Sequence, residues 1–119
     1  MNTNPIISLV AGEDIDSFLR VKVNGSGQAV LADASDTHKF IGHVLQDAKA
    51  DPNDDAHTEV AVQLKGTGIS YAVAADAISQ GGEFEAADDG KIKANTGTAL
   101  GQVLQASSTS GDQVRVIYY

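Results

Sequence analysis

Three histidines, His38, His43 and His57, are the side chains of this sequence that could exchange a proton near neutral pH. Catalysis would require one of them beside a nucleophile, and no Gly-x-Ser-x-Gly turn supplies a serine for that role. The nearest run is Asn-Gly-Ser-Gly-Gln at residues 24–28, where small residues suit a hairpin turn. We therefore expect exposed or edge-structural roles for the histidines, and we predict no catalytic residue, no enzyme activity and no small-molecule substrate.

An acidic loop carries five carboxylates over residues 47–59 that could attract a divalent cation. A calcium loop beginning at Asp51 would need Gly at its sixth position and Glu at its twelfth, where this chain has Ala56 and Val62. The run Gly-Thr-Gly-Ile-Ser-Tyr at residues 66–71 lacks the third glycine of a dinucleotide-binding turn. We predict a solvated loop without a metal, and no cofactor.

The composition argues against two further classes of partner. Sixteen acidic residues against eight basic ones give a net charge of −8, which opposes binding to a nucleic-acid backbone. No apolar run approaches the roughly 20 residues of a membrane-spanning helix, and the N-terminus lacks the basic start of a secretory signal. The chain contains no cysteine, which excludes disulfides and thiol chemistry. We expect a soluble protein made in the cytoplasm, with neither nucleic acid nor membrane as a partner.

An internal repeat organises the chain. Segment 23–32 matches segment 86–95, with Gly27 on Gly90. Segment 40–48 then matches 99–107, with Gly42 on Gly101 and an identical Val-Leu-Gln triplet, and segment 59–64 matches 113–118. The three blocks occur in the same order in both halves. The pattern predicts a duplication that relates residues 11–64 to residues 74–119, with a linker strand at about residues 65–73.

Each half is predicted to contain four short strands, at residues 19–23, 28–32, 41–46 and 59–64, and again at residues 83–87, 91–94, 100–106 and 113–119. In the fourth of these, Val60, Val62 and Leu64 alternate with Glu, Ala and Gln, the period of two that places one face of a strand in a core. Residues 74–80 are compatible with one or two helical turns. The predicted fold is all-β: a single domain over residues 11–119, a barrel or sandwich of eight to nine short strands with an internal two-fold repeat and at most one short helix.

Apolar residues near the N-terminus are candidates for an interface. Residues 1–10 form a predicted arm without charged side chains, in which Ile6, Ile7, Leu9 and Val10 have no counterpart in the second repeat. Such an arm should pair either with the edge of its own sheet or with a neighbouring subunit or host surface. Because ordering a chain segment is entropically costly, we expect the arm to stay mobile on an isolated protomer until a partner orders it.

Three tyrosines complete the set of candidate interface residues. Tyr118 and Tyr119 fall on opposite faces of the last predicted strand, so one should pack inward and the other is free to anchor an interface. Tyr71, in the linker strand, is the third candidate, with simple core packing as the alternative.

The repeated pattern also resembles a known family. Ile-Gly-His-Val-Leu at 41–45 with Val-Ala-Val at 60–62 recurs as Leu-Gly-Gln-Val-Leu at 100–104 with Val-Arg-Val at 114–116. Over residues 11–119 the chain resembles the small capsid cement or head-decoration proteins of tailed bacteriophages. The resemblance implies a non-enzymatic virion protein that binds the major capsid protein on the outer surface of an expanded head, often as a homotrimer at local three-fold positions, and stabilises the shell.

Two other functions are alternatives to the capsid role. The main one is a β-rich oligomerisation or receptor-binding module of a phage tail or fibre. A small enzyme is disfavoured because no nucleophile, base and orienting group can be assembled from the sequence. An acidic protein on the outside of a head would avoid the packaged genome, which agrees with the first interpretation.

Overall fold

The computed structural model describes residues 6–49 and 59–119, and these form ten strands in two five-stranded antiparallel sheets. The first sheet contains β1 (Ile6–Val10), β2 (Arg20–Val23), β3 (Ala29–Leu31), β4 (Gly42–Val44) and β5 (Glu59–Leu64). The second contains β6 (Ile69–Val73), β7 (Glu83–Ala86), β8 (Ile92–Ala94), β9 (Gly101–Val103) and β10 (Gln113–Tyr118). Within these ranges the only helical element is a 3-10 turn, Asp88–Gly90, between β7 and β8.

The two sheets share one topology. The strand order is β1-β5-β4-β2-β3 in the first and β6-β10-β9-β7-β8 in the second, so each strand of the first half has a counterpart five strands later. Gly42 begins β4 and Gly101 begins β9, and they pair with equivalent residues of the neighbouring strands, Val21 and Phe84. The predicted all-β fold with an internal two-fold repeat is confirmed.

Each sheet curls until its outermost strands meet. Ala11, which follows β1, forms a parallel bridge with Ala29 of β3, and Ala74, which follows β6, forms the equivalent bridge with Ile92 of β8. Each half is thereby closed into a small barrel with its own apolar core. So few strands enclose a narrow interior, which explains why valine and alanine dominate the inward positions.

The N-terminal segment is a strand of the first sheet. β1 runs antiparallel to β5, and Ile7 and Leu9 pack against the first core. The expectation that this segment has no counterpart is wrong, because β1 holds the place in the first sheet that β6, the predicted linker strand, holds in the second. The expectation of a mobile arm is likewise wrong for residues 6–10, since they complete the barrel of their own chain. Residues 1–5 of the predicted arm lie outside the described residues.

The added strand raises the strand count from the predicted eight or nine to ten. Residues 74–80 do not form the predicted helical turn, because Ala74 and Ile78 are held in β-bridges. The strands predicted at 41–46 and 100–106 shorten to three residues each. No helix in the described part of the chain is long and apolar enough to cross a membrane.

Two glycines allow neighbouring strands to approach closely. A Cβ atom at Gly42 would collide with the carbonyl oxygen of Gln63, and one at Gly101 would collide with that of Ile117. The obstructing atoms belong to the backbone of the paired strand, which cannot turn aside as a side chain could. Glycine at these two positions is therefore a requirement of the sheet.

We expect Gly101→Ala to destabilise the protein by about 1–3 kcal/mol, because the added methyl group forces β9 and β10 apart. Gly25→Ala is the matched control, since among the described residues nothing lies within 4 Å of a Cβ atom built at Gly25. Urea unfolding of both variants measures the difference. Equal stabilities of the two variants would contradict the close approach of the strands.

Candidate functional site

The structure does not bring the histidines together. His43 lies in β4 and is fully buried, His38 lies exposed in a loop, and His57 is outside the described residues. The expected exposed or edge position is therefore wrong for His43. Among the residues that the structure describes, no three His, Asp or Glu side chains are grouped so that they could hold a metal ion.

Only the two ends of the acidic loop fall in the described part of the chain. The Asp47 carboxylate accepts hydrogen bonds from the backbone N–H of Ser17 at 2.7 Å and from its hydroxyl at 2.8 Å. These bonds hold the pKa of Asp47 below its usual value. At the other end, Glu59 begins β5. Asp47 thus acts locally, tying the loop before β2 to the loop after β4.

His43 is buried because Phe18 covers it. The two ring centroids lie 6.2 Å apart, and the Phe18 ring lies 5.1 Å from that of Tyr71. Neither ring nitrogen of His43 has a hydrogen-bond partner among the described residues. Burial lowers the pKa of His43 to about 4, so the imidazole is neutral at physiological pH. A buried neutral ring without a hydrogen-bond partner in the described part of the chain serves packing rather than proton transfer.

The second half lacks this cover. Gly81 holds the position equivalent to Phe18, with φ values of 79° and 69° respectively. Gln102, the equivalent of His43, is exposed. A left-handed backbone conformation is unfavourable for a bulky residue, and in Phe18 the ring contacts with His43 and Tyr71 compensate for it. The Phe18 side chain thus accounts for the difference between the buried His43 and the exposed Gln102 on the outward faces of the two sheets.

The buried histidine predicts a specific loss of stability in acid. Unfolding returns the pKa of His43 from about 4 to its ordinary value of 6.5, so the unfolded chain binds the extra proton between these values. Stability should be complete above pH 6.5 and fall by up to about 1.4 kcal/mol per pH unit towards pH 4. His43→Gln, which installs the residue found at position 102, should lack this component. Urea unfolding of both proteins from pH 7 to pH 4 isolates it as a difference, and parallel profiles would contradict the burial of a neutral His43.

Arg20 links the two halves. Arg20 is the first residue of β2, and its side chain is fully buried. The Nη2 group donates hydrogen bonds to the carbonyl oxygens of Ala87 at 2.8 Å and Lys91 at 3.0 Å, and Nε donates to Lys91 at 3.2 Å. Ala87 and Lys91 flank the 3-10 turn of the second half. One side chain of the first half therefore satisfies the backbone of the hairpin between β7 and β8.

An aromatic cluster lies beside this contact. Phe40 precedes β4 in sequence but packs in the core of the second half. The Arg20 guanidinium lies 5.0 Å from the Phe40 ring centroid, and the Lys65 ammonium lies 4.4 Å from it. The rings of Phe40 and Phe84 each lie 5.4 Å from that of Tyr118, whose pKa is raised by burial. Phe40 thus extends the first half into the second core.

Arg20→Leu should destabilise the protein by about 1–3 kcal/mol. The substitution leaves the buried carbonyl group of Ala87 without its donor, whereas the carbonyl of Lys91 keeps the hydrogen bond from the backbone N–H of Ala87. An unpaired buried carbonyl costs about 1–3 kcal/mol. Arg115→Leu is the matched control, because Arg115 is exposed on β10 and its loss should change stability by no more than about 0.5 kcal/mol. Urea unfolding measures both variants. A small effect at Arg20 would mean that the two halves are held together without its hydrogen bonds.

The predicted interface residues of β1 divide between core and surface. Ile7 and Leu9 are partly buried against the first core, and Val10 is half-buried at the end of the strand. Ile6 is 43% exposed on the opposite face. Of the two partners proposed for this segment, the structure provides the edge of its own sheet.

The tyrosines divide in the same way. Tyr118 is 3% exposed and belongs to the second core, so it presents no surface to a partner. Tyr119 is 65% exposed, and its hydroxyl donates a hydrogen bond to the Glu83 carboxylate at 2.7 Å, which raises the pKa of Tyr119. Tyr71 is 41% exposed, with one side of its ring against Phe18. Tyr118 and Tyr119 therefore point to opposite sides of the sheet, as the sequence pattern indicates.

Four of the six large apolar side chains exposed in the described residues lie on one surface, the outward side of β6 and β10. We call this surface the β6–β10 face; it consists of Ile69, Tyr71, Ile117 and Tyr119. Ile69 and Ile117 are directly paired across the two strands. Sequence reasoning named the two tyrosines and missed the two isoleucines. The available signal was Ile117 itself, an apolar residue at a position where the alternation predicts a polar one.

Comparison with known proteins yields a fold likeness and no sequence relative. No family profile matches the chain, and no curated protein matches it. Among solved structures, it is similar to the crystal structure of the N base of the head fiber gp8.5 in bacteriophage phi29. The TM-score is 0.71 at 14% sequence identity, and the match covers 96% of this chain and 92% of that chain. The likeness concerns the whole duplicated fold rather than one of its halves.

Proposed function

We propose that this protein is a non-enzymatic structural protein of a bacteriophage virion that attaches to the head. The single observation that carries the proposal is the fold shared with the N base of the phi29 head fiber over 96% of the chain. At 14% identity the shared fold does not by itself transfer a function, so other features of the chain must support attachment to the head.

Two such features agree with a head-surface position. A net charge of −8 suits a protein that faces away from packaged DNA. The exposed apolar side chains are gathered on the β6–β10 face instead of being scattered, which is typical of a protein that works through contacts with other proteins. The finer form of the proposal is a capsid cement or decoration protein that binds the major capsid protein on the outer surface and stabilises the shell, as a homo-oligomer with a trimer favoured.

A second candidate function is a fibre module. The matched structure is described as the base of a head fiber, so the same fold can serve as the anchor of a projecting fibre. In that case the protein would attach to the particle and present further protein rather than reinforce the shell. Both functions are structural, and they differ in whether binding of the protein stabilises the capsid shell.

Binding to purified phage particles tests the proposal. The protein is mixed with expanded heads, unexpanded heads and isolated tails of the phage that encodes it, all prepared without this protein, and sedimented. We expect saturable binding to expanded heads alone. Binding to tails, or to none of the three, would contradict a head protein.

Heat-induced release of DNA separates the two forms of the proposal. A cement protein should raise the temperature at which expanded heads release their DNA, because its binding free energy favours the intact shell. A fibre base should bind equally well and leave that temperature unchanged. Bovine serum albumin at the same concentration is the control for non-specific protection.

A further inference from the structure

Equivalent rows of outward-facing residues cross the two sheets. Ile6 pairs with Gln63, Gln63 with His43 and His43 with Arg20, which together form the first row. In the second sheet the same registers join Ile69 to Ile117, Ile117 to Gln102 and Gln102 to Glu83, which form the second row. Each residue of the second row is therefore the equivalent, by duplication, of one residue of the first row.

The chain itself covers two of the four residues of the first row, whereas Ile6 is 43% exposed and Gln63 is half-buried. Arg20 and His43 are both fully buried, the former beneath the hairpin at residues 87–91 and the latter beneath Phe18. At the hairpin, a Cβ atom on Gly90 would lie 2.8 Å from the carbonyl oxygen of Arg20, so the loop backbone rests directly on β2. This contact between the halves has two different sides: a sheet row on the first half and a hairpin on the second.

The second row has no such cover. All four of its residues are exposed, and Ile69 and Ile117 are 54% and 41% exposed. Gly81, in place of Phe18, leaves Gln102 open above the middle of the row. Glu83 and Gln102, the positions of the second half that correspond to the covered Arg20 and His43, are thus open to the same kind of loop, and Ile117 and Ile69 extend the open row beyond them.

The matching hairpin is also uncovered. Residues 24–28 of the first half correspond to residues 87–91 of the second, and Gly27, with φ +79°, corresponds to Gly90, with φ +74°. Among the described residues, nothing lies within 4 Å of a Cβ atom at Gly27. Beside this hairpin Val23 is 44% exposed, whereas its equivalent Ala86 is 1% exposed. Both sides of the contact that joins the halves are therefore present a second time and open.

We propose that the second row binds the hairpin at residues 24–28 of a second copy of this chain, repeating between molecules the contact that joins the halves within one. Five of the six exposed large apolar side chains lie on or beside these two surfaces, four on the β6–β10 face and Val23 at the hairpin. The segment Asn-Gly-Ser-Gly-Gln carries no charge, so it adds no repulsion between two acidic chains.

At the proposed contact the roles of hydrogen-bond donor and acceptor are reversed relative to the contact within the chain. Within the chain, Arg20 donates hydrogen bonds to hairpin carbonyl groups. Glu83, its equivalent, can only accept, and the hairpin offers donors in the Ser26 hydroxyl and the Gln28 side-chain amide, whereas the Asn24 amide already donates to Gln28. Because hairpin and row are different surfaces, the association is head-to-tail and produces rings or open chains of copies. The inference deepens the homo-oligomer of the proposed function by naming its surfaces, and it rests on that oligomer and not on binding to heads.

Mixing two blocked variants tests the proposal. Ile117→Lys blocks the row and Val23→Lys blocks the hairpin; both replaced side chains are exposed, so each variant should fold. Ile6→Lys is the matched control, an equally exposed isoleucine on the first sheet. Sedimentation velocity should show that the unchanged protein and Ile6→Lys self-associate, whereas each blocked variant self-associates roughly tenfold more weakly. Because each blocked variant keeps the surface that the other lacks, a mixture of the two should form a one-to-one complex.

Thermal melting of each variant confirms that it is folded before association is compared. An unchanged protein that stays monomeric would overturn the proposal. So would a Val23→Lys variant that associates like the unchanged protein, which would indicate a row that pairs with itself or serves another protein. A mixture that forms no complex would overturn the head-to-tail arrangement. Head binding by the blocked variants, measured separately, tests the proposed function whichever of these results is obtained.

Discussion

The buried guanidinium of Arg20 is the interaction on which the arrangement of the two halves depends. Moving a cation out of water is costly, and burial lowers the pKa of Arg20, yet arginine keeps its charge in proteins and must be solvated by the chain. The carbonyl groups of Ala87 and Lys91 accept hydrogen bonds from its Nε and Nη2, and the Phe40 ring lies 5.0 Å away, whereas Nη1 has no hydrogen-bond partner among the described residues. Since these carbonyls belong to one hairpin of the second half, the halves cannot shift relative to each other without leaving a buried charge unpaired. A contact of purely apolar side chains would tolerate small displacements more easily.

Duplication supplied two copies of one barrel, and three pairs of equivalent positions made them different. Phe18 corresponds to Gly81, Arg20 to Glu83 and His43 to Gln102. In the first half these residues produce a covered surface with a buried cation and a neutral imidazole. In the second half the same positions produce an exposed surface with a carboxylate and an amide. The backbone registers are unchanged, so the divergence lies in side chains that face outward from the barrels.

The sequence predicted most of the fold because the repeat, the glycine turns and the period of two all depend on local pattern. Its failures have physical causes. β1 matches β6 at two of five positions, Ile6 with Ile69 and Val10 with Val73, but it carries no glycine turn, and so short an apolar match is equally typical of unrelated β-strands. The burial of His43 depends on Phe18, which is 25 positions away in the sequence, and on the closure of the barrel. The role of Arg20 depends on a hairpin of the other half, which no pattern within the first half can reveal.

The same physics explains how the fold can be shared at 14% identity while no family profile matches. A narrow barrel constrains few features: glycine where strands approach closely, small or medium apolar residues inside, and left-handed turns between strands. Many sequences meet these conditions, so residues can change widely while the strand order persists. What a particular chain binds is then decided by its outward residues, which the core does not constrain. In this chain the outward surfaces of the two halves differ most on β7 and β9, where Glu83 and Gln102 are exposed, whereas their equivalents Arg20 and His43 are buried.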